Sequence, residues 1–168
     1  VPLATDLPDL CFERLGEQAE PRVQHALAAA AIREMVEETG LRIAAATDTS
    51  ITTGWDNFDR TGEGPDASLL HYFFRAITPP GRTRRFDARF FLLDADALAI
   101  DLDDFTKASD ELSHLQWVPL PDVRRLNLPF ITSVALGEVA GLTQIAPPPS
   151  IPFFENGDEE SLFHRLGG

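Results

Sequence analysis

The sequence contains one cysteine, Cys11. That rules out an internal disulfide framework and suits a reducing compartment, so a cytoplasmic location is expected. Cys11 has no histidine-paired setting and reads as a buried or incidental thiol. No apolar run approaches the length of a bilayer, and no signal-peptide pattern opens the chain, so neither a membrane span nor an exported leader is expected. Basic residues are scarce: 14 Lys and Arg face 27 Asp and Glu, for a formal charge of −13. Nucleic acids and anionic membrane surfaces both call for a basic face, which argues against them as bulk partners. An anionic small molecule stays open wherever a metal and local arginines invert the field. Internal repeats, heptads and low-complexity tracts are also missing.

What is present describes a globular chain. The 168 residues are 43% hydrophobic and 24% charged, enough for a single domain over 1–168 with a normal core. The chain opens at Val1 with no initiator methionine, in a Pro- and Asp-containing stretch, and is read as the interior of a longer protein.

Along the chain, residues 1–20 carry a short apolar patch (Leu10, Cys11, Phe12, Leu15) that fits one helical turn or a short helix. Pro21 suits a first helical position, and residues 23–39 are Ala-rich and helical, with Val23, Leu27 and Ala30 spaced to face the core. Gly40 is placed for a left-handed cap. Short β segments are expected at 41–46 and 50–53, followed by a Gly/Asp/Pro loop over 54–67. Residues 69–77 and 86–93 are the strong strand candidates, paired as a hairpin with a long connection. An acidic stretch over 94–110 leads to a short strand at 115–119. Helices are expected over 122–126 and from Pro129 to about residue 140, and the tail over 147–168 is read as irregular.

The most informative run is residues 33–41, Arg-Glu-Met-Val-Glu-Glu-Thr-Gly-Leu. Its five specified positions and closing apolar residue should arise by chance in about 1 in 10,000 chains of this length or fewer. On a helix, Glu34, Glu37 and Glu38 are related by i,i+3 and i,i+4, so their carboxylates share one face. Like charges so placed weaken a helix. A cation would compensate them, and carboxylate oxygens suit Mg²⁺ or Mn²⁺. The alternative is a solvated helix face.

Arg33-Glu34-x-x-Glu37-Glu38-x-Gly40-Leu41 resembles the second half of the Nudix box. The resemblance implies an α/β/α sandwich of the α/β (α+β) class with a mixed sheet. It also implies a hydrolase that cleaves a diphosphate linking a nucleoside to another group. Glu34, Glu37 and Glu38 would be metal ligands, with Glu34 also catalytic, and Arg33 would be their ion-pair partner. The first half of the box does not match: its Glu would fall at His25 and its leading Gly at Ala19. Either the box is degenerate, or residues 1–22 belong to an insertion and the Gly-rich half and leading strands stand before Val1. Ile77-Thr78-Pro79-Pro80 and Arg84-Arg85-Phe86-Asp87-Ala88-Arg89-Phe90-Phe91 are similar to a segment of coenzyme A diphosphatases of the peroxisomal type. This makes coenzyme A or acyl-coenzyme A the first substrate to consider. ADP-ribose, another nucleotide sugar, or nucleotide binding without turnover are the alternatives. Dimerisation is common in that family, which leaves a homodimer open.

Other residues complete the expected site. Glu111, six residues before Trp117, is the best distal carboxylate for a metal or a proton, with an ordinary surface glutamate as the alternative. His114 is a weaker candidate on the same loop. Arg82, Arg84, Arg85 and Arg89 form the dense basic cluster. Guanidinium forks suit phosphate, so Arg82, Arg84 and Arg85 are the substrate-binding candidates, against the alternative of a solubilising turn. Tyr72, Phe74, Phe86 and Phe90 would stack an adenine or, at strand spacing, fill the core. His25 reads as a helix spacer and His71 as a strand residue beside Tyr72.

Overall fold

A computed structural model describes residues 3–20, 22–48, 55, 58, 62–81, 83–98, 100–110, 112, 114–157 and 160–167. They fall into two compact units, residues 1–71 with 93–115 and residues 72–92 with 116–168.

The first unit opens with helix α1 (Asp9–Gly16), which packs beside helix α2 (Gln24–Thr39). Cys11 and Leu15 of α1 are buried, as are Ala28, Ala29, Ile32 and Val36 of α2. Ala28 to Ala31 give α2 its strongest helix-forming run. The helix stops where expected. Gly40 adopts φ 77°, and its N–H donates to the Val36 carbonyl at 2.8 Å, an end that a residue without Cβ adopts readily. Thr39 reinforces it: its hydroxyl donates to the Met35 carbonyl at 2.6 Å and accepts the Leu41 N–H at 3.1 Å. A short antiparallel ladder follows, β1 (Ala44–Ala46) against β2 (Glu63–Pro65). The expected strand over 41–46 thus contracts to its last three residues. β2 lies inside the stretch read as loop, and residues 50–53 are outside the described set.

The second unit holds a four-stranded sheet in the order β4-β3-β5-β6. β3 (His71–Ile77, whose first residue counts with the first unit) and β4 (Asp87–Leu92) fall where the aromatic runs placed them. β5 (Ile151–Asn156) runs parallel to β3, with Arg75 opposite Phe153, and β6 (Ser161–Leu166) runs antiparallel to β5. The tail read as irregular therefore supplies half of this sheet. The fold is α+β with a mixed sheet, the sheet type the resemblance implies. Helix α3 (Phe130–Ala140) lays Ala135 against Phe73, Phe74 and Ala76, with Phe90, Leu92 and Phe154 packed around them. Each large apolar side chain removed from water there contributes roughly 1.5–3 kcal/mol. The helix expected over 122–126 is a 3-10 turn, Leu120–Arg125. The strand expected over 115–119 does not form: these residues pair with no strand, and Trp117 stands exposed.

Candidate functional site

The 100° step of α2 separates two faces. Ala28, Ala29, Ile32 and Val36 occupy the buried one. Glu34, Glu37 and Glu38 fall on the other, Glu34 and Glu37 exposed and Glu38 half-buried. Arg33 lies between the carboxylates, its Nη2 3.4 Å from Glu34 Oε1 and its Nε 3.7 Å from Glu37 Oε1. Such pairs at half-exposed positions contribute at most about 1 kcal/mol, enough to offset the repulsion of three acids on one face. Glu38 has no hydrogen-bond or ion-pair partner among the described residues. The donor chemistry, three carboxylates on one accessible helix face, fits a hard divalent cation. The side chains do not converge as they stand. Among the described residues, no three His, Cys, Asp or Glu gather into a group able to hold a metal ion.

The turn that carries Glu37 and Glu38 is held from outside the helix. Ser109 donates its N–H to the Glu37 carbonyl at 2.7 Å, satisfying an end carbonyl the helix cannot. The approach is close because residue 40 is glycine: a Cβ there would lie 2.9 Å from the Lys107 carbonyl carbon and the Ala108 N. Gly40→Ala is therefore expected to cost about 1–3 kcal/mol in a denaturant titration, from positive φ and displacement of this loop. It should also speed hydrogen exchange at the Ser109 amide. An unchanged midpoint and unchanged exchange would show that the loop does not depend on Gly40.

Beside this helix end lies a cleft of about 580 Å³, lined by Gly40, Leu41, Arg42, Glu63, Asp66 and Lys107 among others. Arg42 reaches Glu63 at 2.7 Å and lies 5.0 Å from the ring centre of Phe58. Burial pushes the Asp66 carboxyl up, but hydrogen bonds from Ser68 and Thr5 outweigh it and bring its pKa below the ordinary 3.8. Asp66 therefore stays ionised and ties the amino-terminal segment down at Thr5.

The basic cluster divides. Arg84 is exposed and has no partner among the described residues. Arg85 is engaged, donating to the carbonyls of Thr78 at 3.3 Å and Asn156 at 3.2 Å. Arg89 turns to Asp87 at 2.9 Å. Arg82 and Glu111 lie outside the described residues. His114 is exposed, at φ 63°. His25 pairs with Asp6 at 3.1 Å and packs on Phe12. Tyr72 and Phe74 are core, Phe90 packs against the core, and Phe86 is exposed.

One ion pair was not read from the sequence. Arg75, at the centre of buried β3, grips Asp87 with Nε at 2.9 Å and Nη2 at 2.8 Å, and its guanidinium lies 4.4 Å from the Phe153 ring centre. A signal existed. A lone arginine inside an aromatic strand run needs a carboxylate, and Asp87 begins the run paired with it.

Comparison with protein-family models finds no match, and comparison with curated proteins finds none either. Among solved structures, a crystal structure of a NUDIX hydrolase from Alicyclobacillus acidocaldarius is similar, with 24% identity and a TM-score of 0.43. The likeness covers 73% of this chain, which spans 65% of that one. No helix among the described residues is long and apolar enough to cross a membrane.

Proposed function

We propose that this chain is a Mg²⁺- or Mn²⁺-dependent diphosphohydrolase of the Nudix type, acting on a nucleoside diphosphate derivative, with coenzyme A or acyl-coenzyme A the first candidate. The observation that carries this reading is the run from Arg33 to Leu41. Its three glutamates lie on the accessible face of α2, Arg33 lies between them, and Gly40 supplies the left-handed end. Glu34, Glu37 and Glu38 would hold the cation. A diphosphate resists attack because its oxygens repel nucleophiles; a divalent ion, when bound, neutralises that charge and lowers the pKa of a water. The protein's own share is then positional. Arg33 keeps Glu34 and Glu37 on one side of the helix. Ser109 and Gly40 fix the turn below them. A carboxylate, Glu34 or Glu111, takes the proton of the attacking water. Arg84, which has no partner among the described residues, offers its guanidinium to a phosphate, and Arg82 is the second candidate. Arg85 is the weakest of the three, because two backbone carbonyls already engage it.

The unmatched first half of the box, with His25 and Ala19 where its Glu and leading Gly would fall, favours a second reading, a domain that binds a nucleotide without turning it over. One experiment separates the two: the protein is incubated with Mg²⁺ or Mn²⁺ and with coenzyme A, ADP-ribose and dinucleoside polyphosphates, and products are read by mass. Metal-dependent release of two phosphate-bearing products is expected, abolished by chelator. Binding without turnover on every compound would overturn the hydrolase reading. Turnover of ADP-ribose alone would move the substrate to the nucleotide sugars.

A further inference from the structure

The loop that joins α3 to β5 faces the last turns of α3 across a pocket of about 370 Å³, wholly within the second unit. The lining is mostly apolar: Phe73 of β3, Gly137 and Gly141 at the end of α3, and Pro148, Pro149 and Pro152. Three polar side chains share it, Glu138, Ser150 and Arg165. A few polar groups set in an apolar lining of this size are the usual make-up of a small-molecule site. At about 30 Å³ per water molecule the pocket holds roughly a dozen waters, room for a bicyclic ring.

The polar groups of the pocket are joined loosely. Arg165 donates from Nη2 to Glu138 Oε2 at 3.2 Å and from Nη1 to Ser150 Oγ at 3.4 Å, longer than the ~2.7–2.9 Å of a close charge-assisted bond. Glu138 Oε1 has no partner among the described residues. The ion pair is part-exposed, so it adds little to stability and a ligand can share it at low cost. Gly137 points the same way. It lies inside α3, where glycine weakens a helix relative to alanine, yet a Cβ there would meet no atom within 4 Å. Packing against the described residues does not call for glycine at this position, and a larger side chain would narrow the pocket.

We infer that this pocket binds a neutral, flat heteroaromatic ring whose edge carries a hydrogen-bond donor beside an acceptor, as in the amidine edge of adenine or the carboxamide of nicotinamide. The ring's donor goes to Glu138 Oε1, and its acceptor takes an N–H of Arg165. The charges of the lining select the class. Glu138 and Arg165 cancel, so an anion meets the carboxylate and a cation meets the guanidinium, whereas a neutral edge with both functions satisfies both groups. A plain aliphatic chain would fill the same space but take water from these groups without replacing its hydrogen bonds. Phe73 and the three prolines offer the faces of the ring apolar contact. The pocket shares no residue with the carboxylate face of α2, so the inference does not rest on the hydrolase reading.

Amide spectra of the full chain, titrated with adenosine and with nicotinamide, test this. Chelator is present throughout, which keeps metal chemistry out of the measurement. Saturating shifts at the Gly137 and Gly141 amides are expected with at least one ring, with Kd about 0.1 mM for adenosine. Which of the two rings binds tells the purine from the pyridine carboxamide. Purine riboside and 3-acetylpyridine keep the rings but lack the N–H donors. They should bind about 10-fold more weakly or worse, because the Glu138 carboxylate is left unpaired. Gly137→Leu should weaken binding by about 10-fold or more while raising the melting temperature by about 2–4 °C, since leucine is the better helix former. No shift at either glycine with either ring up to about 10 mM, equal binding by the donorless analogues, or undiminished affinity in Gly137→Leu would overturn the inference. If that variant melts lower than the parent, Glu138→Ala decides. A loss of about 10-fold for the donor-bearing ring with none for its donorless analogue supports the assignment, and an equal effect on the two overturns it.

Discussion

Exchanging Glu38 for glutamine should abolish the metal-dependent hydrolysis proposed above and leave the fold intact. Glu38 is half-buried on α2 with no described side-chain partner, so folding does not rest on its charge. Glutamine keeps its length and one acceptor oxygen but loses the anion that attracts a hard divalent cation. Changing residues that merely support a metal ligand costs about 10- to 100-fold in affinity or activity, so losing a ligand should lower kcat/KM by at least about 100-fold. The stability effect should be small and favourable. Glu38 stands four residues after Glu34, and relieving a like-charge pair at that spacing stabilises a helix by about 0.2–0.5 kcal/mol. Steady-state kinetics at several Mg²⁺ concentrations, with a melting curve beside them, read both effects. Undiminished turnover would remove Glu38 from the metal site. Lost turnover with a lower melting temperature would mean that the substitution had damaged the fold.

The largest effect on stability is expected at Asp87. Arg75 and Arg89 have side chains only 5% and 10% exposed, and both bond to this carboxylate. Asp87→Asn leaves two buried guanidinium groups without it. Removing one partner of a buried pair costs about 3–5 kcal/mol. Asp87 itself is 36% exposed, which places the expectation near the lower end, about 3 kcal/mol in a denaturant titration. Replacing Arg75 and Asp87 together by Met and Leu should recover most of it, since an apolar pair of similar volume leaves no charge stranded. A loss below about 1 kcal/mol in the single variant would show that the network finds another anion. Acid stability follows from the same pair. Burial pushes the Asp87 carboxyl up, but the bonds and charge of Arg75, then of Arg89, outweigh it and bring its pKa below 3.8. Its contribution is therefore complete above that unfolded value and disappears as pH falls through the lower folded one. The wild-type protein should lose stability below about pH 4, and Asp87→Asn should show a shallower acid slope.

Elements specified by neighbours in the chain were legible. The Ala-rich run ending at Gly40, the aromatic runs around Tyr72 and Phe90, and Pro129 ahead of α3 each carry their signal within a few residues. The carboxylate face of α2 was legible for the same reason, since helical spacing alone aligns Glu34, Glu37 and Glu38. β2 and β5 were not. Glu-Gly-Pro has little strand propensity and is extended because β1 pairs with it. β5 begins beside prolines and ends before an acidic run of sequence, yet it lies at the middle of the sheet because Phe153 meets Arg75, 78 positions away in the chain. The reverse error fell at 115–119, where a strand-like stretch finds no strand to pair with.

Arg85 shows the same division on a single side chain. In the sequence it is one of a row of arginines suited to phosphate, but its donors are engaged because β5 ends at Asn156, whose carbonyl they reach. The sequence by itself determined the helix, its cap and the acidic face it displays, because a 3.6-residue period and a glycine need no distant partner. Only the tertiary structure decided which charges are spent and which remain available. Arg85 meets the Asn156 carbonyl, and Ser109 the Glu37 carbonyl, through contacts between segments far apart in the chain, and the free energy of those contacts has no local signature.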